Sequence, residues 1–470
     1  MRYLSSFAPA RAILAGVVTA LILLTGGCDS GLPSDEAERS PTSSDVRKRN
    51  LSPVPQHMLN LRTLDDELAD MAEQAEGFGG MFYDEHGVLS IYMKNPGNDV
   101  IALSAVRAVR GEEALSKSAG PVNILQGQYD FRDLKAWRDK LREKMRIAGV
   151  IALDLDEAKN RVWIGVKNQS VIDQVRALLA KLGIPQEAVL IEVTEPVQPP
   201  FEYADDHDEE ALPPPSRPQQ ENLRGYVRPL RGGLKITGED GFGDNLPSCT
   251  LGVISELDGF TGFLTNSHCT EILFLNDNTR YHQPTAFNPV GTEYQDAQAY
   301  TGSCTTGYCA YADAAFVITD AGVSTDLGYI ARPESMGSGS TVISVSQPKF
   351  KITSVWYTYV IQAPAVGETV YKVGQRTGWE SGAITRSCYD PIHFKDPTVT
   401  MFCQYQASAP TVEGDSGGPV FYGTGTNVRL DGIVWGRDGT DAVFSWFPYI
   451  RQEFTGHFAG ANYLPVKAPF

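Results

Sequence analysis

The run Gly414-Asp415-Ser416-Gly417-Gly418-Pro419-Val420 sets a serine between glycines. A serine hydroxyl is a weak nucleophile at neutral pH. It gains reactivity from a base within hydrogen-bond reach, a group that orients the base, and donors for the oxyanion formed on attack. Glycines beside Ser416 admit backbone conformations closed to other residues and leave room for a substrate carbonyl. In such a turn the N–H groups of Gly414 and Ser416 point into one pocket and form an oxyanion hole. Loss of one such donor typically costs about 2.7–4 kcal/mol of transition-state stabilisation. The base candidate is His268, in Thr265-Asn266-Ser267-His268-Cys269. The residues before it read as a hairpin, Leu251–Ser255 and Phe260–Leu264 around Asp258-Gly259, so His268 stands just past a strand end. The orienting acid is Asp313, which heads the apolar run Ala314–Ile318. An acid there is partly buried, and a buried carboxylate needs a partner. Asp320 and Asp326 are the spare candidates. Such a set supports acyl transfer: His268 takes the Ser416 proton, and Asp313 holds the imidazole tautomer and stabilises its cation. Asp415 is expected to position the oxyanion loop rather than react.

From about Leu223 the chain carries Gly, Thr, Val and aromatic residues in short runs between turn residues, with no convincing amphipathic helix before Pro448–Phe454. That texture predicts an all-β barrel or sandwich over residues 231–470. Residues 198–230 are rich in Pro, acid and Gln and predict an extended linker. Residues 57–197 predict a small α/β domain. Leu61, Leu64, Leu68, Met71 and Ala75 recur at helical spacing, and Gly77, Gly79 and Gly80 stop that helix. Met81–Tyr83 and Val88–Met93 read as a hairpin around Glu85-His86-Gly87. Phe131, Leu134, Leu141 and Met145 mark a second helix. Strands follow at Val150–Leu155 and Arg161–Val166, then a helix Val171–Leu182, with Ser170 and Asp173 as its capping box and Gly183 as its stop. A last strand spans Ala188–Val193. This order reads as a ferredoxin-like unit. Its histidines, His57 and His86, stand apart from any reactive group and take surface or structural roles.

Arg2 and Arg11 precede an apolar stretch, Ala12–Leu24, too short for a membrane span of about 20 residues but suited to a signal-peptide core. Residues 1–27 therefore read as a signal peptide. Thr25-Gly26-Gly27-Cys28 resembles the lipidation site of bacterial lipoproteins, which predicts a lipid on Cys28 and a membrane partner. Residues 28–56 are polar and predict a flexible tether. The chain has 7 cysteines, and an odd number leaves one without a partner in an exported protein. Setting Cys28 aside leaves Cys249, Cys269, Cys304, Cys309, Cys388 and Cys403, for which about 15 connectivities are open. The net charge of −17, with no basic stripe, excludes a nucleic-acid reader. Part of that acidity is the solvated segment Glu202–Glu210. At 42% apolar residues the chain can bury full-sized cores, and no cofactor or metal is expected.

In the order His, Asp, Ser, the segments Thr265–Cys269, Asp313-Ala314-Ala315 and Gly414–Val420 resemble the chymotrypsin superfamily of serine proteases. Lys372-Val373-Gly374-Gln375-Arg376-Thr377-Gly378-Trp379-Glu380-Ser381-Gly382 is similar to a strand pair of its bacterial streptogrisin and α-lytic branch. The resemblance covers about Gly232–Phe454. It implies two antiparallel six-stranded barrels, with His268 and Asp313 from the first, Ser416 from the second, and the site in the cleft between. It implies a serine endopeptidase acting on protein or peptide substrates through an acyl-enzyme. Pro410, six residues before the serine, would floor the specificity pocket, and Val434-Trp435-Gly436 would form its wall. With no acid at 410, an apolar residue is expected before the scissile bond. The resemblance also implies a Cys249–Cys269 bridge, with Cys304–Cys309 and Cys388–Cys403 as local loop closures. The layout of residues 57–197 is similar to the pro-regions of α-lytic-type proteases, which implies a zymogen. Asn266-Ser267 departs from the family's small apolar pair, and no tryptic activation peptide with an apolar new N-terminus is evident. A monomer is expected, at the cell envelope, with release of the protease domain if the linker is cut.

Two other readings compete. Gly414, Ser416 and Gly418 also fit the nucleophile elbow of α/β-hydrolases. That fold needs the order Ser, Asp, His, here Asp441 and His457, and a helix after the serine. Gly417–Phe421 reads as a strand instead. A catalytically silent, surface-anchored binding protein on a protease scaffold is the other. The presence of all three reactive residue types weighs against it.

Overall fold

The computed structural model describes residues 52–59, 62–199, 220–302, 304–354 and 363–455. The residues read as a signal peptide, Cys28, most of those read as a tether, Leu61, the centre of the predicted linker and His457 lie outside the described residues.

A closed six-stranded barrel forms the second half of the all-β region. Its ring runs Thr369–Gly374, Gly378–Pro391, Gln404–Pro410, Asp441–Trp446, Asn427–Asp438, Pro419–Tyr422 and back to the first. Every neighbouring pair in this ring is antiparallel. The first barrel is an antiparallel path of 7 strands, in the order Ile254–Leu257, Phe260–Thr265, Ala315–Thr319, Pro289–Asp296, Arg280–His282, Lys235–Glu239, Asn245–Thr250. Its two end strands are consecutive in the chain. Of the two six-stranded barrels implied by the resemblance, the second is closed, and the first is a seven-stranded path, one strand more than implied, whose end strands are not paired with each other among the described residues. Much of these strands is buried on both faces, and Phe263, Tyr281, Val317, Phe350, Phe421 and Ile433 share one core. The helix Phe447–Thr455 closes that core with Phe447, Ile450 and Phe454. It begins one residue before the predicted Pro448.

The α/β region is also present, and its strands form two three-stranded sheets. Each has a hairpin, a helix and a third strand parallel to the second: Phe78–Tyr83, Leu89–Met93 and Asn123–Gln126, then Val150–Asp156, Arg161–Val166 and Val189–Val193. The helix Leu64–Gln74 begins at a capping box of Thr63 and Asp66. The helix Gln169–Leu182 is capped by Asn168, whose side chain accepts from the Ser170 N–H at 3.1 Å. The predicted box of Ser170 and Asp173 is displaced because Ser170 already lies within the first turn. The helix Asp99–Ser116 and the strand after it were not predicted. The helix's buried face is Ala102, Ala105, Val106, Arg110 and Ala114, too poor in large apolar residues to give a clear period.

The second of these sheets runs on into the closed barrel. Asp390 and Pro391, at the end of the long strand Gly378–Pro391, pair with Leu153 and Ala152. Ion pairs fasten the joint: Arg142 to Asp390 at 2.6 Å, Arg386 to Asp154 at 3.0 Å and Lys117 to Glu368 at 3.0 Å. Asp390 and Asp154 are buried, and a buried carboxylate that loses its partner costs about 3–5 kcal/mol. Arg142→Ala should therefore lower the unfolding free energy by about 3 kcal/mol. Chemical denaturation checks this, and an unchanged midpoint and slope would show that the joint does not rest on the pair.

Candidate active site

Strand register brings the first two candidates together. Thr265 pairs with Ala315, so the residues just beyond that rung, His268 and Asp313, emerge from the same end of neighbouring strands. A short 3-10 turn, Ser267–Cys269, then carries the imidazole inward. Asn266 Nδ2 donates to the Asp313 carbonyl at 2.7 Å, which ties the two strand ends. This gives Asn266 a structural role. His268 Nδ1 lies 2.6 Å from Asp313 Oδ2, and the His268 backbone N–H donates to Oδ1 at 3.1 Å.

Both groups are fully buried. Burial would by itself raise the Asp313 pKa, but the attraction of His268 and the hydrogen bonds from His268 and His393 overcome it and hold the carboxyl well below the usual range. Burial also lowers the His268 pKa, against the opposing pull of Asp313. The neutral imidazole is thus favoured at neutral pH, as a general base requires. The spare acids lie elsewhere: Asp320 pairs with Arg280, at 2.7 Å to Nη1, and Asp326 with Lys349, at 2.8 Å.

Ser416 stands on the turn between Gln404–Pro410 and Pro419–Tyr422. Its carbonyl accepts from the Thr250 N–H at 2.7 Å. Cys249, next to Thr250, is bonded to Cys269, next to His268. One hydrogen bond and one disulfide therefore link the serine turn to the histidine turn across the two barrels. The Cys304–Cys309 and Cys388–Cys403 bridges are also formed. Disulfides of this kind belong to an exported protein. No helix among the described residues is long and apolar enough to cross a membrane.

The serine turn needs its glycines. Gly414 has φ +84°, and a Cβ there would meet Gln375 Nε2 at 2.2 Å. Gly417 has φ +88°, and a Cβ there would meet the Thr250 carbonyl at 2.1 Å. Asp415, Gly417 and Gly418 donate their N–H groups to the carbonyls of Val412, Val434 and Asp415. The N–H groups of Gly414 and Ser416 take no acceptor among the described residues. Asp415 is buried and accepts from Lys372 Nζ at 2.8 Å, from Thr377 Oγ1 at 2.7 Å and from the Arg376 N–H at 3.0 Å. Burial opposes its ionisation, yet Lys372 and these donors keep its pKa below the ordinary value. An internal lysine thus anchors the loop, so no new N-terminus is needed to order it.

The predicted wall and floor are less uniform. Val434 spends both backbone groups on the serine turn, accepting from Gly417 at 2.8 Å and donating to Gly418 at 2.9 Å. Trp435 is fully buried and donates its indole N–H to Gln404 at 2.9 Å. Gly436 lies at a bulge, where a Cβ would stand 2.6 Å from Val197. Pro410 is exposed, at the end of its strand opposite Asp441. His393 was missed altogether. Its Nε2 lies 3.0 Å from the same Asp313 oxygen that His268 contacts. The available signal was its place in the loop between Cys388 and Cys403, which are bonded to each other. His268, Asp313 and His393 offer ligand atoms within 4.8 Å of one another. Two imidazoles at 2.6 and 3.0 Å from a single oxygen are spaced as N–H donors to a carboxylate rather than as ligands around an ion.

No family model matches the chain, and no curated protein does. Solved structures similar to it include a glutamic acid-specific serine protease described as using a novel histidine triad in substrate binding, at 20% identity and TM-score 0.33, covering 47% of this chain and 95% of that one. Thermobifida fusca Protease A is similar at 20% identity and TM-score 0.34, covering 51% and 98%. Cellulomonas bogoriensis chymotrypsin is similar at 24% identity and TM-score 0.32, covering 47% and 93%.

Lys372 is 1% exposed, so Lys372→Met would leave the Asp415 carboxylate buried without its cation. The expected loss is about 3–5 kcal/mol of stability. The depressed Asp415 pKa adds a pH signature. Its contribution is present above the unfolded value of about 3.9 and is lost as pH falls through the lower folded value. The gap in melting temperature between wild type and Lys372→Met should therefore be full near neutral pH and narrow below about pH 4. A gap that stays constant down to that pH would remove Asp415 from the account.

Proposed function

We propose that this chain is an exported serine endopeptidase that cleaves peptide bonds through an acyl-enzyme. The observation that carries this reading is the buried His268–Asp313 couple, 2.6 Å apart, linked to the glycine-bounded turn of Ser416 through the Cys249–Cys269 bridge and the Thr250 N–H, which donates to the Ser416 carbonyl. In the proposed cycle Ser416 Oγ attacks the substrate carbonyl while His268 Nε2 takes its proton. Asp313 holds the Nδ1–H tautomer and stabilises the cation as it forms. The N–H groups of Gly414 and Ser416 stabilise the oxyanion. His268 then gives its proton to the leaving amine, and water repeats the sequence on the acyl-enzyme. An apolar residue before the scissile bond follows from the absence of an acid at 410.

The same reading makes residues 57–197 a pro-region and Cys28 a lipid anchor. The chain entering the linker runs along the wall strand. Gln198 and Arg437 exchange backbone hydrogen bonds of 2.8 and 3.1 Å, and Val197 is buried in the same apolar cluster as Trp435, Leu273 and Phe274. A strand added at the edge of a cleft is how an extended peptide is held there. This segment thereby competes with substrate until the linker is cut within residues 198–230.

A fluorophosphonate probe tests the chemistry. It should label the linker-cleaved protein at Ser416 and leave Ser416→Ala blank. Absence of label from wild type, beside a labelled control protease, would sink the enzyme reading. The acid limb of the labelling rate should have its midpoint below the usual imidazole value of about 6.5, because burial lowers the His268 pKa. A midpoint at or above that value counts against His268 as the buried base. Mass analysis of the mature envelope protein tests the pro-region, since an intact chain from Cys28 to its end with full activity contradicts cleavage.

A further inference from the structure

We infer that His393 is a positioning residue, a second imidazole that holds the same Asp313 carboxylate oxygen as His268. The inference rests on the serine-protease reading and extends it to a residue outside the Ser, His and Asp set.

The hydrogen bonds select the His393 tautomer. Its Nδ1 lies 3.1 Å from the Lys395 backbone N–H, which only donates, so Nδ1 accepts. The ring hydrogen is then on Nε2, 3.0 Å from Asp313 Oδ2, and donates to it. The same oxygen accepts from His268 Nδ1 at 2.6 Å. Oδ1 is held by the His268 backbone N–H. The carboxylate is thus held by three N–H groups, two of them from imidazoles.

The ring is itself clamped. His393 stacks on Trp435 with centroids 5.3 Å apart and planes at 11°, and on Phe394 at 4.7 Å and 22°. The Trp435 indole N–H donates to Gln404 Oε1 at 2.9 Å, which also accepts from Ser445 Oγ at 2.9 Å. Ser445 Oγ in turn accepts from the Asp313 backbone N–H at 3.1 Å. The path from the Asp313 side chain through His393, Trp435, Gln404 and Ser445 therefore returns to the Asp313 backbone. Each of these residues is buried. The charged and titratable groups facing this cluster are Asp313, His268 and Lys395, whose Nζ donates to the His268 carbonyl at 2.8 Å. Asp277 and Asp296 act on Lys395 from the first barrel.

Two consequences follow. A second donor on Oδ2 keeps the carboxylate from turning away when His268 moves toward the serine. It also withdraws part of the oxygen's basicity, so Asp313 attracts the His268 proton less strongly than a singly bonded carboxylate would.

The test uses the full chain cut in its linker, with the fluorophosphonate probe and a peptide ester as substrate. His393→Phe keeps the stacking and removes the N–H. Its kcat should fall by about 10- to 100-fold, the scale of one hydrogen bond to a charged group, while KM changes little. Its acid limb should move to higher pH, because Asp313 regains basicity and raises the His268 pKa. His393→Gln, which can still offer an N–H, should recover part of both. Melting temperatures decide whether each variant is folded, and if the Phe variant is not, His393→Gln and His393→Asn carry the comparison. A merely structural role would leave the acid limb in place. If wild type is labelled and folded His393→Phe matches it in rate and acid limb, the inference on His393 is overturned. If wild type itself is not labelled, the failure lies with the protease reading instead.

Discussion

The site depends on an ionised carboxylate kept out of water. Asp313 is fully buried, and an isolated charge in that position would cost many kcal/mol or take up a proton. It stays charged because N–H groups converge on it from the first barrel and from the loop of the Cys388–Cys403 bridge in the second. That requirement explains features that look independent in the sequence. The rung Thr265–Ala315 sets the approach of His268 and Asp313, and Asn266 locks it. Trp435, Gln404 and Ser445 serve the carboxylate from behind. Trp435 is therefore committed to this support before it can act as a surface for substrate.

A second buried carboxylate repeats the logic on the other side of the serine. Asp415 is neutralised by Lys372, on the neighbouring strand of the same barrel, and the loop bearing Gly414 and Ser416 wraps around that pair. The two acids stand in different barrels, and the Cys249–Cys269 bridge and the Thr250 contacts tie the two turns together. Thr250 contributes twice, donating its N–H to the Ser416 carbonyl and its hydroxyl to the Gly414 carbonyl at 2.7 Å.

Much of this was legible in the sequence, for identifiable reasons. Glycines at forced backbone positions and an acid heading an apolar strand are local signals, and they pointed to Ser416 and Asp313. Cysteine arithmetic isolated the six C-terminal cysteines, and the resemblance then paired them. What stayed hidden was non-local. His393 is 80 residues from Asp313, and a lone histidine in a loop carries no pattern. The joint of the α/β region with the closed barrel is made by Arg142, Asp154, Arg386 and Asp390, charged residues that a sequence reading assigns to the surface. The helix Asp99–Ser116 was lost for a related reason, since its buried face uses alanines and the Arg110–Glu67 pair in place of large apolar side chains.

The anchoring of Asp415 also constrains how such a site could be held silent. Where an acid beside the serine waits for a new N-terminus, activity can be withheld by leaving the oxyanion loop disordered. Here the partner is Lys372, present in the uncut chain, so ordering of that loop offers no control point. In the proposed zymogen, control would fall to occupation of the cleft. The chain before the linker is already paired with the wall strand at Arg437, with Val197 seated beside Trp435. Cutting the linker would remove the covalent tether and leave the α/β region joined through the continuous sheet and its buried ion pairs. In the proposed scheme the cut frees the end of the segment at Val197 and Gln198, so that substrate displaces its backbone hydrogen bonds to Arg437 without dismantling that joint.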